Sequence, residues 1–148
     1  MKILTKNKKA LFDYEILENI EAGLELTGQE VKSVKNGNVN LKGAFVNFYK
    51  NEAWLSGSYI QKYKMAGSIP DYDPERRRKL LLHKKQINYL QSKSLEKGLT
   101  IVPLKVYTND RLIKLEIGVG RGRKHYDKKE HLKQRDTDRE IARTLKYQ

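Results

Sequence analysis

Three groups of residues bear on chemistry: the histidines His83, His125 and His131, the run Gly118-Val119-Gly120-Arg121-Gly122, and the basic run Arg76-Arg77-Arg78-Lys79. The histidines show no H-E-x-x-H or related ligand spacing, and two of them fall in a polar C-terminal stretch. They read as surface or RNA-contacting imidazoles, with no metal site and no catalytic base expected. The glycine run lacks the third interval of G-x-G-x-x-G and the apolar helix that must follow a dinucleotide loop. It reads as a flexible exit from a folded unit, its neighbours Arg121, Arg123 and Lys124 suited to phosphates. No G-x-S-x-G, no P-loop and no distinctive carboxylate pair is present, and the absence of cysteine removes thiolate catalysis, disulfides and cysteine-zinc sites. Hence no enzyme, metal or cofactor is expected. A four-residue basic run is commonly a solvated helix face, but the charge of the whole chain raises the odds of a site. Tyr14, Tyr59, Tyr63 and Tyr72 have the rings to stack on bases, although strand aromatics are core by default and exposure alone separates the two.

The charge is the strongest signal. Across 148 residues, 31 Lys+Arg face 18 Asp+Glu, a formal net charge of +13. Cations placed near phosphates release condensed counterions, so nucleic acid is the leading partner. An anionic membrane is the rival, yet no apolar run approaches the roughly 20 residues that span a bilayer. The N-terminus, Met1 to Lys9, lacks the apolar core of a signal peptide, which predicts a cytoplasmic protein, as does zero cysteine.

Elements must position these residues. A basic N-terminal arm (residues 1–9) leads into an expected strand at Ala10–Glu18, where Phe12, Tyr14 and Ile16 alternate with Asp13 and Glu15. A short strand at Glu21–Leu26 and a helix at Gln29–Lys35, closed by Asn36-Gly37, follow, with Val31 and Val34 facing inward. Leu41–Tyr49 and Ala53–Ile60 read as strands joined by Lys50-Asn51-Glu52, then a loop to Tyr72. Asp73-Pro74-Glu75 has the chemistry of a helix start, which puts Arg76–Lys79 on a helix ending near His83. A further helix is expected from Lys84 to Lys97, stopped by Gly98 and burying Ile87, Leu90 and Leu95. Strands at Leu99–Tyr107 and Leu112–Val119 close the unit around Thr108-Asn109-Asp110-Arg111. The fold class this predicts is mainly β: a partly open barrel of oligonucleotide-binding type over residues 10–120, with up to three short helices.

The composition changes after Val119. The last 30 residues carry ten Lys/Arg against five Asp/Glu, +5 of the total, and beyond Val119 the only aliphatic side chains are Leu132, Ile141, Ala142 and Leu145. Such a segment buries too little to offset its ordering entropy, so residues 121–148 are expected to be a tail that is disordered when free. It lacks Pro and Gly after Gly122, and Lys128, Arg135, Arg139, Arg143 and Lys146 recur near one helical face. Like charges at that spacing oppose the helix until a polyanion lies along it, which predicts folding on binding.

Three blocks carry a family resemblance: Glu21-Ala22-Gly23-Leu24-x-Leu26-x-Gly28-x-Glu30-Val31-Lys32-Ser33; Arg78-Lys79-Leu80-Leu81-Leu82-His83; and Lys114-x-x-Ile117-Gly118-Val119-x-Arg121-Gly122-x-Lys124-x-Tyr126-Asp127-Lys128-Lys129. In this order and spacing the chain resembles the SsrA-binding proteins, the SmpB family, from about Tyr14 to the C-terminus. The resemblance implies a monomeric adaptor that binds the tRNA-like domain of transfer-messenger RNA and accompanies it, with elongation factor Tu, into stalled ribosomes. It implies RNA contacts for Glu21, Leu81 and His83, with Tyr14 nearby and with Lys35, Arg78 and Lys79 as cations. Relatives often carry Asn at the position of His83 and Arg at that of Lys35, where lysine keeps a point charge without the bidentate fork. By the same resemblance Arg121, Arg123, Lys124, His125, Tyr126, Asp127, Lys128, Lys129, Arg135 and Arg139 belong to a ribosome-binding tail. Lys129 stands where relatives have Arg. Ile141, Arg143 and Leu145 match a stretch that enters the decoding centre and the vacant messenger channel as a helix. The residues read without the resemblance leave two alternatives: a generic single-strand-binding protein, and an RNA-processing enzyme that would need an acid/base cluster.

Overall fold

In the computed structural model, which describes residues 1–123, the elements run β1 (Lys2–Lys6), α1 (Lys8–Asp13), β2 (Tyr14–Leu24), α2 (Gly28–Lys35), β3 (Val39–Asn40), β4 (Phe45–Tyr49), β5 (Glu52–Ser56), β6 (Tyr59–Ile60), β7 (Arg78–Leu81), α3 (Lys84–Ser94), β8 (Leu99–Asn109) and β9 (Leu112–Gly122). Seven strands form one antiparallel sheet in the order β1-β8-β9-β2-β7-β5-β4, and β3 pairs with β6 beside it. The sheet is not a closed barrel: β1 and β4 are its two hydrogen-bonding edges, although it curls enough for β4 to pack against β8. Mainly β, open and with few helices, this is the expected class. No helix among the described residues is long and apolar enough to cross a membrane.

Period-two alternation makes the sheet two-faced. Ala22, Leu80, Leu55, Ala53, Val106, Leu115 and Ile117 point inward and are essentially inaccessible, forming the main core with Val34, Ile87 and Leu90 from the helices. A smaller cluster of Ala10, Val102 and Leu104 lies under α1. Helix α2 begins at Thr27, whose hydroxyl accepts from the Glu30 N–H while Glu30 accepts from the Thr27 N–H, a capping box. The β4–β5 hairpin turns on Lys50 and Asn51, both at positive φ, the primed geometry that matches strand twist.

Several expectations are corrected. Residues 2–6 are no arm outside the domain: they pair with β8, and Leu4 packs on the core. The expected strand at Ala10–Glu18 is helix α1 up to Asp13, because Asn7 caps it by accepting from the Ala10 N–H while donating to the Pro103 carbonyl 96 residues away. From Tyr14 onward both expected strands are one, bulged at Leu17. The strands expected at Leu41–Tyr49 and Ala53–Ile60 are each shorter than their apolar runs. Helix α3 stops at Ser94, leaving Leu95 83% exposed instead of buried.

The largest correction concerns residues 73–83. Asp73 caps only a single turn, accepting from the Glu75 N–H, and no helix follows. Arg78–Leu81 is a strand held on both sides, Gly23 opposite Leu81 and Trp54 opposite Lys79. Two ladders outweigh a local helix-start signal here. The glycine run is likewise no flexible exit: Gly118 and Gly120 lie inside β9, where a Cβ on Gly120 would stand 2.9 Å from the Tyr14 Cβ.

Candidate nucleic-acid interface

The outer face of the sheet, opposite the core, carries the candidate site. Registers place Glu21 beside Glu116, Gly23 beside both Lys114 and Leu81, and Tyr107 beside Lys114. With the start of α3 these make an open groove of about 770 Å³, lined by Glu21, Gly23, Asn51, Glu52, residues 79–84, Gln86, Ile87 and Lys114. The Gln86 side chain accepts from the His83 N–H at 3.0 Å, fixing the corner where β7 becomes α3 and where His83 stands exposed. Leu81 is 52% exposed, an apolar ridge in a charged groove. It lies over Gly23, whose missing side chain is the reason it fits: a Cβ there would stand 3.0 Å from the Leu81 Cβ.

The groove's charges are wet and unsaturated. Lys79 pairs with Glu52 at 3.6 Å with both side chains about two-fifths exposed, a contact weak enough to exchange for a phosphate. Lys84 and Lys114 add cations. Glu21 accepts from the Tyr107 hydroxyl. An ionised carboxylate only accepts, so among these cations it repels phosphate and favours N–H or O–H groups of bases and ribose. Among the described residues no cluster of three or more His, Cys, Asp or Glu is placed to hold a metal ion.

Arg78, which the motif placed beside Lys79 as an RNA cation, faces the other way. Its side chain is fully buried and its donors are spent: Nε and Nη2 on Glu30 at 3.0 and 2.6 Å, Nη1 on the Ser58 and Pro74 carbonyls at 3.2 and 2.9 Å. Arg76 donates to the other Glu30 oxygen, and the Tyr72 hydroxyl donates to Ile60 O. Burial is the largest single influence on Glu30 and opposes its charge. The Thr27 N–H and the guanidiniums of Arg78 and Arg76 together outweigh it, and the carboxyl is held at about 2, down from 4.5. This is an internal clasp that ties α2 to the chain between β6 and β7.

The remaining predicted residues scatter. Tyr14, half-buried at the far end of β2, lines a separate hollow of about 320 Å³ with Asn7 and Phe45. Lys35 ends α2, exposed and outside the groove lining. Arg121 is exposed on β9 and Arg123 follows it. Lys124, His125, Tyr126, Asp127, Lys128, Lys129, Arg135, Arg139, Ile141, Arg143 and Leu145 lie outside the described residues. Sequence reasoning missed Gly23, Lys84 and Lys114 as groove residues. Lys114 and Gly23 stand within the quoted motif blocks, but only the β2–β9 register makes them neighbours.

The family model described as SmpB protein matches residues 4–147. The chain belongs to the SmpB family. It is 50% identical over 145 residues to an SsrA-binding protein of Enterococcus hirae, covering 98% of this chain and 94% of that one. To an SsrA-binding protein of Gloeothece citriformis it is 48% identical over the same shares. It is also similar to a chain from the solved structure "tmRNA-SmpB: a journey to the center of the bacterial ribosome", with 45% identity, a TM-score of 0.68, and coverage of 86% of this chain and 93% of that one. In SmpB terms, the second motif block is strand β7 and its corner. Lys79, Leu81 and His83 line the groove with their side chains accessible, while Leu80 is buried at its base and Arg78 is buried outside it.

Proposed function

We propose that this chain is an RNA-binding adaptor of trans-translation, which holds the tRNA-like domain of transfer-messenger RNA in the outer groove and brings it to stalled ribosomes. The observation that carries the reading is the convergence of Glu21, Lys79, Leu81 and His83, residues from two separate sequence blocks, on one open basic groove. Lysines at its wall and floor neutralise phosphates, Leu81 offers an apolar contact to a base or sugar, and His83 and Glu21 supply hydrogen bonds. Such a site binds and orients and makes or breaks no covalent bond. The basic segment 121–148 then serves a second contact, with small-subunit RNA at the decoding centre and along the vacant messenger channel. Elongation factor Tu completes the delivery complex, which acts in the cytoplasm.

Truncation after Arg123 tests the two-part reading. The shortened chain is expected to bind a tRNA-like RNA with near-unchanged affinity while peptide tagging at a stalled ribosome is abolished; unaffected tagging would sink the proposal. Comparable affinity for an unstructured oligomer and for the tRNA-like fold at matched salt would favour a generic single-strand binder instead.

A further inference from the structure

We propose that Tyr107 is a positioning residue for the groove: its phenol holds Glu21 by one carboxylate oxygen and so presents the other to bound RNA. This deepens the groove reading and rests on it. Tyr107 stands on β8, two strands from Glu21 with β9 between them. Its ring is covered, 5% exposed as a residue, and its hydroxyl crosses β9 to donate to Glu21 Oε2. The crossing is diagonal, because Tyr107 lies level with Lys114 and Gly23, and Glu21 level with Glu116 and Lys105.

The surroundings explain why a phenol is needed. Glu116, directly across from Glu21, is a like charge that would push the carboxylate away, and unpaired like charges at that position disfavour the sheet. Lys105 removes this repulsion by binding Glu116 at 3.1 Å, and the same ammonium lies 5.7 Å from the centre of the Tyr107 ring. Among the described residues, the Glu21 carboxylate takes its hydrogen bond from the Tyr107 hydroxyl. Burial, and then the Glu21 bond, push that phenol far above its ordinary pKa, so it stays a donor at all physiological pH. An exposed glutamate otherwise samples several rotamers, and binding RNA would have to select one. Ordered in advance, the carboxylate loses less freedom on binding.

The test is a double-mutant cycle on the full chain, with a transcript of the tRNA-like domain as probe. Tyr107→Phe is expected to weaken binding about five- to tenfold in the wild-type background and less than about twofold in a Glu21→Ala background, because there is no longer a carboxylate to position. Its melting temperature should stay within about 2 °C of wild type, as removal of one hydroxyl at the rim of the core is a small perturbation. Equal losses in both backgrounds, or none in the wild type, overturn the inference. If Glu21→Ala itself binds as well as wild type, the groove reading falls and this inference with it. If Glu21→Ala binds weakly while Tyr107→Phe is intact, only the inference falls. The free wild-type protein supplies an independent readout should Tyr107→Phe not fold. A phenol proton held by Glu21 gives a slowly exchanging downfield resonance that vanishes in Glu21→Ala, and its absence from the wild type overturns the contact.

Discussion

Arg78 and Lys79 are neighbours in one short strand, both basic and both in one motif block, yet they serve opposite regions of the molecule. Arg78 enters the clasp with Glu30, where both side chains are fully buried and each guanidinium nitrogen has a partner. Lys79 faces the groove, loosely paired with Glu52 and open to exchange. A buried ion pair holds its place because losing either partner strands the other charge, whereas a surface pair contributes little and leaves its cation free for a ligand. Charge type is the same in both regions. The number of satisfied partners and the access of water separate structure from recognition.

The sharpest way to break this comparison is to remove Glu30. Glu30→Ala leaves Arg78 uncompensated in the interior and is expected to cost about 3–5 kcal/mol, read as a fall in the urea midpoint, with RNA affinity lost only as the fold is lost. A midpoint unchanged within error would show that the clasp is not structural.

Acid probes the same region without mutation. The Glu30 carboxyl titrates near 2 when folded and near 4.5 when unfolded, so its contribution is complete above about pH 4.5 and disappears as the pH falls toward 2. From that shift we expect about 3 kcal/mol of acid-dependent stability. Urea titrations at descending pH should show it for the wild type and not for a Glu30→Gln variant that still folds.

On the groove side the signs reverse. Lys79→Gln should change stability by less than about 0.5 kcal/mol while lowering affinity for tRNA-like RNA and reducing the slope of log affinity against log salt by up to about 1. An unchanged salt slope would remove Lys79 from the phosphate contacts. The smallest effect is expected from Gly23→Ala. The new methyl meets Leu81 and must displace it by a few tenths of an ångström, so affinity should fall a few-fold with stability nearly constant. Full affinity would mean that the placement of Leu81 is not critical.

How far the chain could be read before folding follows from the same contrast. Helix α2 was legible from local chemistry alone, as were the β8–β9 hairpin and the burial of Ile87 and Leu90, because capping residues, turn residues and periodicity act within a few positions. Glu21, Leu81 and His83 were legible as site candidates through motif resemblance. The helix expected from Asp73 was not formed, since two neighbouring strands offered Arg78–Leu81 more hydrogen bonds than a local turn. The N-terminal residues read as an arm until β8 supplied them with a partner.

The amino-acid sequence by itself determined the charge, the absence of cysteine chemistry, the mainly β character and the family blocks, because composition and short-range pattern survive without a fold. Tertiary structure alone decided that Arg78 is inside and Lys79 outside, that Lys114 and Gly23 join Glu21 and Leu81, and that Tyr107 reaches Glu21 across an intervening strand. Register and burial are properties of strands brought together from distant parts of the chain, and a residue's partners, not its type, decide whether its charge holds the fold or meets a ligand.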